Sequence, residues 1–463
     1  MDVVFARARQ AVAAEPTLPL YRRLADALAP ALTEEPAGAF PSARALAAEL
    51  GLNRATVTAA YRELARRGLL VLGPGRRQGR RPAAAEAVAP EPGEPLPGAA
   101  DLARYAPDAE LLPSGEVFRW LGLGEGEGEG VTQYGSAWGY APLRSWLAAR
   151  LRGLGIAAAP DGVLLTSGVQ HGLDLILRAL VGPGDTVLVE DPTYPGLPPL
   201  LALHQARVVG LPVGRRGIEL ADAEALVRRA SPRLAILTPT LHNPSGAVMD
   251  APTRAGLLAL LRARGTRVVE EFFDPELVFE GEVPPPLAAL DLGVTVVGSF
   301  SKALFPGLRV GWAVGPRDIL ESVAAVKRAA DLGGSPFLEA AAWTLCRRGV
   351  LDEQLRRLRS VARARLEIVL SALAGAPQGV EWITPRGGFS LLLALPHGWS
   401  SRAVAARAAE RGVWVLPGAA ISVSGRDDVV RVAYAAVGGA ALRRAMTDLV
   451  AALAPERGAL PLV

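Results

Sequence analysis

The chain has 463 residues, half of them hydrophobic and 21% charged, with a formal net charge of +4. That composition suits two or three folded, core-bearing domains and excludes a largely disordered chain. No run of about 18 uninterrupted apolar residues occurs, so no membrane span is expected. Asp2, Arg7, Arg9 and Glu15 make the first residues a poor signal peptide. The single cysteine, Cys346, excludes an intrachain disulfide, and four histidines are few for a His-rich metal site. The expectation is a soluble, cytoplasmic protein without a metal centre.

Basic residues are unevenly spread. From Pro41 to Pro82 there are nine arginines and two glutamates, a net of +7 on a chain whose remainder sums to −3. A basic segment on a slightly acidic body points to a nucleic-acid-binding module. Of 50 basic residues only Lys302 and Lys327 are lysines. A chain so committed to arginine keeps lysine where a primary amine must lose its proton and react.

In chain order, residues 18–32 (LPLYRRLADALAPAL) form an amphipathic helix. Ser42 caps a short helix that Gly51 ends, and Asn53 caps the next. That next helix carries Val57, Ala60, Tyr61 and Leu64 as an apolar stripe. Arg54, Thr56 and Thr58 lie near its N-terminus, largely off the stripe, where a recognition helix presents its first turn to a major groove. Residues 69–72 read as a strand, and Gly73-Pro74-Gly75-Arg76-Arg77 as a basic turn. The domain is expected over 17–82. Residues 83–100, rich in Ala, Pro and Glu without apolar periodicity, read as a linker.

The string FPSARALAAELGLNRATVTAAYRELARRGLL, with the helix from Tyr21 before it, resembles the winged helix-turn-helix of GntR-type bacterial regulators. The resemblance implies DNA contacts from Arg44, Arg54 and Thr56, with Gly75 at the wing tip near the minor groove.

From residue 101 to 455 short apolar runs alternate with helical patterns. Strands are expected over 163–165, 186–189, 207–211, 234–237, 267–269 and 294–298, and helices over 172–181, 222–230 and 252–264. Such alternation means an α/β domain with a largely parallel sheet covered on both faces. GEGEGEG at 124–130 reads as a low-complexity loop. Thr166-Ser167-Gly168-Val169-Gln170 joins a strand to a helix and offers backbone N–H groups to a phosphate. Tyr194 follows the next strand, placed to stack on a flat ring. Asn243, in Asn243-Pro244-Ser245-Gly246, offers an amide to a ring oxygen. Glu270 and Glu271 end a further strand, and one of them can pair with a protonated ring nitrogen. Lys302 follows the 294–298 strand, flanked by Ser299, Ser301 and Arg309, which suits an aldehyde cofactor carrying a phosphate. Lys327, in ILESVAAVKRAAD, reads as part of a solvated helix face. Arg431, in VVRVAYA, is a candidate for a substrate carboxylate.

Together these segments resemble a fold-type I pyridoxal 5'-phosphate (PLP) domain of the aminotransferase class, ending in a smaller α+β part. QYGSAWGYAPLRSWL, VEDPTYPG, TPTLHNPSG and LRRLRSVARARLEIVL extend the likeness. Joined to the N-terminal module, the chain resembles the MocR subgroup of GntR regulators from Leu18 to Leu449. The resemblance makes Lys302 the Schiff-base lysine and assigns phosphate to Arg309, Ser299 and the Gly168-Val169-Gln170 turn. It gives the ring face to Tyr194, the ring hydroxyl to Asn243, the ring nitrogen to Glu271 and an α-carboxylate to Arg431. It also implies a homodimer in which Tyr134 reaches the phosphate of the other subunit.

Three positions depart from the family pattern. Glu271 stands where an aspartate is usual, Phe273 where a tyrosine bonds the ring oxygen, and Val169 where a serine often faces the phosphate. Phe273 removes a hydroxyl worth about 0.5–1.5 kcal/mol as a hydrogen bond. These changes leave cofactor binding in place and count against efficient transamination. The expected function is a PLP-responsive transcriptional regulator that senses PLP or a PLP–amino compound adduct and binds a DNA operator. The alternatives are an active aminotransferase with an appended DNA-binding domain, or a regulator whose large domain only dimerises.

Overall fold

The computed structural model describes residues 2–13, 19–34, 41–66, 70–71, 79–80, 99–105, 108–111, 131, 133–214 and 217–454. They fall into two compact units, Met1–Ala87 and Val88–Val463.

The first unit contains α1 (Asp2–Ala13), α2 (Leu20–Glu34), α3 (Ala43–Leu50) and α4 (Arg54–Arg66), then an antiparallel pair, β1 (Leu70–Val71) and β2 (Gly79–Arg80). Helix α1 lies ahead of the expected domain start. It was not legible in the sequence, because its mixed charges hide the small apolar contribution of Ala8 and Ala11, which pack with Leu24, Ala25 and Leu28 of α2. Ser42 caps α3 by accepting the Ala45 N–H at 3.1 Å, and Gly51, at φ 63°, ends it in the left-handed region. Asn53 Oδ1 accepts the Ala55 N–H at 2.8 Å at the head of α4. The expected stripe of Val57, Ala60, Tyr61 and Leu64 is wholly buried, and Tyr61 donates its hydroxyl to the Pro41 carbonyl at 3.0 Å. Gly75 and the expected basic turn lie outside the described residues.

The second unit opens with β3 (Ala100–Asp101), which pairs in parallel with β13 (Val413–Trp414). Ala100, the last residue of the stretch expected as linker, is therefore paired in a strand. The elements then run α5 (Ala141–Gly153), β4 (Val163–Thr166), α6 (Val169–Leu180), β5 (Thr186–Asp191), α7 (Leu197–Leu203), β6 (Arg207–Pro212), α8 (Leu220–Ala230), β7 (Leu234–Leu237) and α9 (Ala251–Arg262). They continue with β8 (Arg267–Glu271), α10 (Leu287–Leu290), β9 (Thr295–Ser299), β10 (Gly311–Val314), α11 (Arg317–Asp331), α12 (Pro336–Arg347) and α13 (Val350–Leu373).

Seven strands form one sheet in the order β4-β10-β9-β8-β7-β5-β6, in which β10 runs antiparallel to both neighbours and β9 through β6 pair in parallel. A sheet covered on both faces needs strands that are apolar at every position, and β4, β7 and β10 are buried throughout. The period of two sends successive residues to opposite sides. Leu165 and Leu188 join the core under α5, α8 and α9, whereas Leu164, Val187 and Val189 join the core under α6 and α11.

Helix α6 starts at Val169, three residues before the expected start. Gly168, at φ 96°, breaks the chain there, and Gly172 sits inside the helix where it passes Thr166 and Val297 closely. Lys327 also departs from expectation: it is fully buried rather than solvated. It shares a face of α11 with Leu320, Val323 and Ala324, and its amine pairs with Asp331 at 3.2 Å.

The smaller C-terminal part comprises β11 (Glu381–Trp382), β12 (Ser390–Ala394), α14 (Ser401–Glu410), β13, β14 (Leu416–Pro417), β15 (Val429–Ala433) and α15 (Gly439–Leu453). Its antiparallel sheet is ordered β11-β12-β15-β14. Among the described residues no helix is long and apolar enough to cross a membrane.

Candidate active site

In a parallel sheet the carboxyl ends of the strands and the following helix N-termini gather on one edge, where backbone N–H groups are free for a ligand. Here that edge collects the segments after β4, β5, β7, β8 and β9. They line a pocket of about 190 Å³ whose walls include Val169, Gln170, Tyr194, Asn243, Glu271, Ser299, Lys302 and Arg309.

One corner is built for an anion. Arg309, at φ 51°, donates to the Ser167 carbonyl at 2.7 Å and lies over Gly168, where a Cβ would come within 3.3 Å of its Nη2. A Cβ on Gly311 would meet the Gly168 Cα at 2.6 Å, so two glycines let strand and helix start approach. Ser299 Oγ donates to Ser301 Oγ at 2.8 Å and accepts the Ser301 N–H at 3.0 Å. The N-terminus of α6 adds its unpaired N–H groups and its partial positive charge. Gln170 donates to the Gly196 carbonyl at 2.9 Å, while its Oε1 is buried without a partner. The Val169 side chain contributes an apolar wall.

The opposite end is charged, with Lys302 and Glu271 half-buried and Arg431 buried. Lys302 donates its amine to the Tyr105 carbonyl. Burial, reinforced by Arg431 and opposed by Glu271, brings its pKa down to about 8, so a neutral nucleophilic amine is accessible near neutral pH. Glu271 accepts the Thr238 hydroxyl at 3.2 Å, and burial lifts its pKa to about 7 against that hydrogen bond. Glu270 faces away and accepts the Ala288 N–H at 3.2 Å. The alternation along β8 thus decides between the two carboxylates that the sequence left open.

Arg431, 2% exposed, donates to Asn243 Oδ1 at 3.2 Å and to the Ala103 carbonyl, and its Nε has no partner. Burial brings its pKa down to about 10. The Tyr194 hydroxyl is pushed up to about 12 by burial. Phe273 turns its ring into an aromatic cluster with Tyr105 and Phe389, at 6.1 and 5.7 Å. Tyr134 is 90% exposed and does not line the pocket. In the N-terminal unit Arg44 and Arg54 are exposed and Thr56 is half-buried.

Sequence reasoning missed Tyr105 and Thr238. Tyr105 reaches the site because Leu102 accepts the Ala433 N–H at 2.7 Å, laying residues 102–105 beside the strand that carries Arg431. No local pattern announces that. Thr238 stands directly after β7, and the only available signal was its place at a strand end.

A parallel sheet with one reversed strand, a lysine beyond β9 and an anion corner at the first strand–helix turn define a PLP-dependent transferase of the aminotransferase type. The chain belongs to the family described as aminotransferase class I and II, whose model matches residues 109–449. It is 33% identical over 347 residues to a 2-aminoadipate transaminase of Thermus thermophilus, covering 73% of this chain and 86% of that one. It is 30% identical over 460 residues to the HTH-type transcriptional regulator TauR of Rhodobacter capsulatus, covering 90% and 92%. Among solved structures, LysN, an alpha-aminoadipate aminotransferase also from Thermus thermophilus and complexed with N-(5'-phosphopyridoxyl)-L-leucine, matches with a TM-score of 0.75 at 32% identity over 80% of this chain and 96% of that one.

The family implies pyridoxal 5'-phosphate as cofactor, and the residues present fit it. The Gly168 cradle and Arg309 suit a phosphate, Glu271 suits a protonated ring nitrogen, and Lys302 is a half-buried amine with a lowered pKa.

Proposed function

We propose that the chain is a PLP-responsive transcriptional regulator of the GntR/MocR type. The observation that carries this reading is one chain holding both exposed Arg44 and Arg54 on a capped helix pair and a pocket with a half-buried lysine of lowered pKa. The likeness to an HTH-type regulator over 90% of the chain supports it.

In this reading residues 17–82 form a winged helix-turn-helix. Arg44, Arg54 and Thr56 contact the operator, and Gly75 lies at the wing tip. PLP supplies an aldehyde that can bond an amine and a ring that can take up electrons. Lys302 anchors it, Ser299, Arg309 and the 168–170 turn bind its phosphate, and Tyr194 stacks on the ring. Glu271 holds the proton at the ring nitrogen, and Asn243 donates to the ring oxygen. Arg431 orients the carboxylate of an amino compound. Tyr134, exposed in one protomer, reaches the partner's phosphate in a homodimer. Bound PLP, alone or with the amino compound, favours one arrangement of the dimer and so changes its affinity for DNA.

A second reading, an active aminotransferase with an appended DNA-binding domain, is favoured by the retained Lys302, Asn243 and Arg431 set and by the transaminase relative. The test is selection from a random-duplex library, followed by affinity measurements at fixed salt, beside steady-state assays with amino donors and keto acceptors. A selected site bound at least ~10³-fold more tightly than non-specific DNA, and lost in Arg54→Ala, is the expected result. No sequence preference together with sustained turnover overturns the regulator reading in favour of the enzyme.

A further inference from the structure

We propose that Tyr105 sets the class of amino compound the pocket accepts: α-amino acids with compact side chains, such as glycine and alanine, over those with bulky ones. This rests on Lys302 and Arg431 marking the amine and carboxylate ends of the site.

Both cations face one ring. Lys302 Nζ lies 5.2 Å and Arg431 Cζ 5.4 Å from the Tyr105 ring centroid. The backbone of the same segment meets both groups, through the Tyr105 carbonyl on Lys302 and the Ala103 carbonyl on Arg431. An α-amino acid has a single carbon between its carboxylate and its amine. A molecule held at both ends therefore lays that carbon, and the side chain on it, along Tyr105.

This wall cannot easily retreat. Phe273 and Phe389 pack on the Tyr105 ring at 6.1 and 5.9 Å and are themselves 8% and 0% exposed. The segment is anchored in sequence: Asp101 Oδ1 accepts the Ala103 and Arg104 N–H groups at 3.1 Å each, and Leu102 is tied to Ala433. Close-packed aromatic rings yield little to extra methylenes. A bulky side chain must displace the segment, whereas a methyl group need not.

The experiment titrates PLP-loaded full-length protein with L-alanine and with L-leucine. It follows the visible spectrum and, separately, the shift in melting temperature. Wild type is expected to reach half-saturation with alanine at a concentration roughly 10-fold or more below that for leucine. Tyr105→Gly is expected to bring the two concentrations together or invert their order, while Tyr105→Phe keeps the wall and the discrimination. Equal half-saturation in wild type, no response to either amino acid, or an unchanged ratio in Tyr105→Gly overturns the inference. The wild-type comparison decides even where Tyr105→Gly folds poorly. If wild type forms no lysine-dependent band with PLP, the cofactor reading itself fails. A band that responds equally to both amino acids leaves that reading intact and removes only the role of Tyr105.

Discussion

Thr238 donates its hydroxyl to Glu271 at 3.2 Å while its backbone N–H donates to Glu190 at 2.7 Å, so one residue after β7 spans two carboxylates. Glu271 is the group placed against a pyridine nitrogen, and Glu190 adds a like charge that raises its pKa further. Removing the hydroxyl withdraws a hydrogen bond to the charged form. Thr238→Val is therefore expected to raise the Glu271 pKa by about half to one unit, from a net hydrogen bond of about 0.5–1.5 kcal/mol. The pH midpoint of PLP affinity should move upward with it. An unmoved midpoint contradicts the assignment of Glu271.

The buried carboxylates also set a pH dependence of stability. Glu190, Glu270, Glu271 and Glu339 all have pKa values lifted to about 7, chiefly by burial. Between the ordinary glutamate range and about 7 the folded state binds more protons than the unfolded chain, so stability falls as pH rises through this window. His242, lowered to about 4 by burial, and His171, also lowered by burial, act in the opposite sense below their ordinary range, but they are two groups against four. The urea midpoint of the PLP-free protein is expected to be higher at pH 5.5 than at pH 8. Glu270→Gln, which lies outside the pocket, should flatten the slope. A midpoint that rises steadily with pH contradicts this.

Gly168 combines a φ of 96° with a place 3.3 Å from Arg309 once a Cβ is added. Gly168→Ala is expected to cost about 1–3 kcal/mol of stability, because φ 96° with ψ 174° is a backbone region that only glycine adopts readily. By pushing Arg309 out of line it should also weaken PLP about 10-fold, more than the stability change explains. Equal PLP affinity in the variant contradicts the phosphate corner.

The two lysines should separate cleanly. Lys327 is fully buried and paired with Asp331, whose side chain is 28% exposed. Lys327→Met is expected to destabilise by about 1–3 kcal/mol, below the 3–5 kcal/mol of a fully buried broken pair because solvent reaches Asp331. It should still bind PLP at 25 °C. A Lys327→Met protein that folds but cannot bind PLP would place that lysine in the site.

Much of this architecture was legible because it is local. The six expected strands appear, and Lys302, Arg309, Asn243, Glu271 and Tyr194 line one pocket because each ends or follows a strand of the same sheet. What escaped depends on pairing between distant segments. The reversed strand β10 had no periodicity to distinguish it, and Tyr105 gains its place from β3 pairing with β13, more than 300 residues away. The burial of Lys327 was readable in principle, since Leu320, Val323 and Ala324 share its helical face. A charged residue on such a stripe needs a partner to be buried, and Asp331, four residues on, supplies it. In the N-terminal unit, capping residues and stripe were evident, whereas α1 carries too little apolar surface to stand out.

The central claim joins cofactor to DNA, and one titration addresses both. PLP is added to full-length protein bound to a fluorescent duplex carrying its selected site, with visible absorbance and anisotropy read from the same cuvette. Wild type is expected to develop a visible band and change its DNA affinity over the same PLP range. Lys302→Ala should bind the duplex but show neither response. A wild-type band with unchanged anisotropy at sub-saturating protein, or a DNA response that survives in Lys302→Ala, contradicts the account.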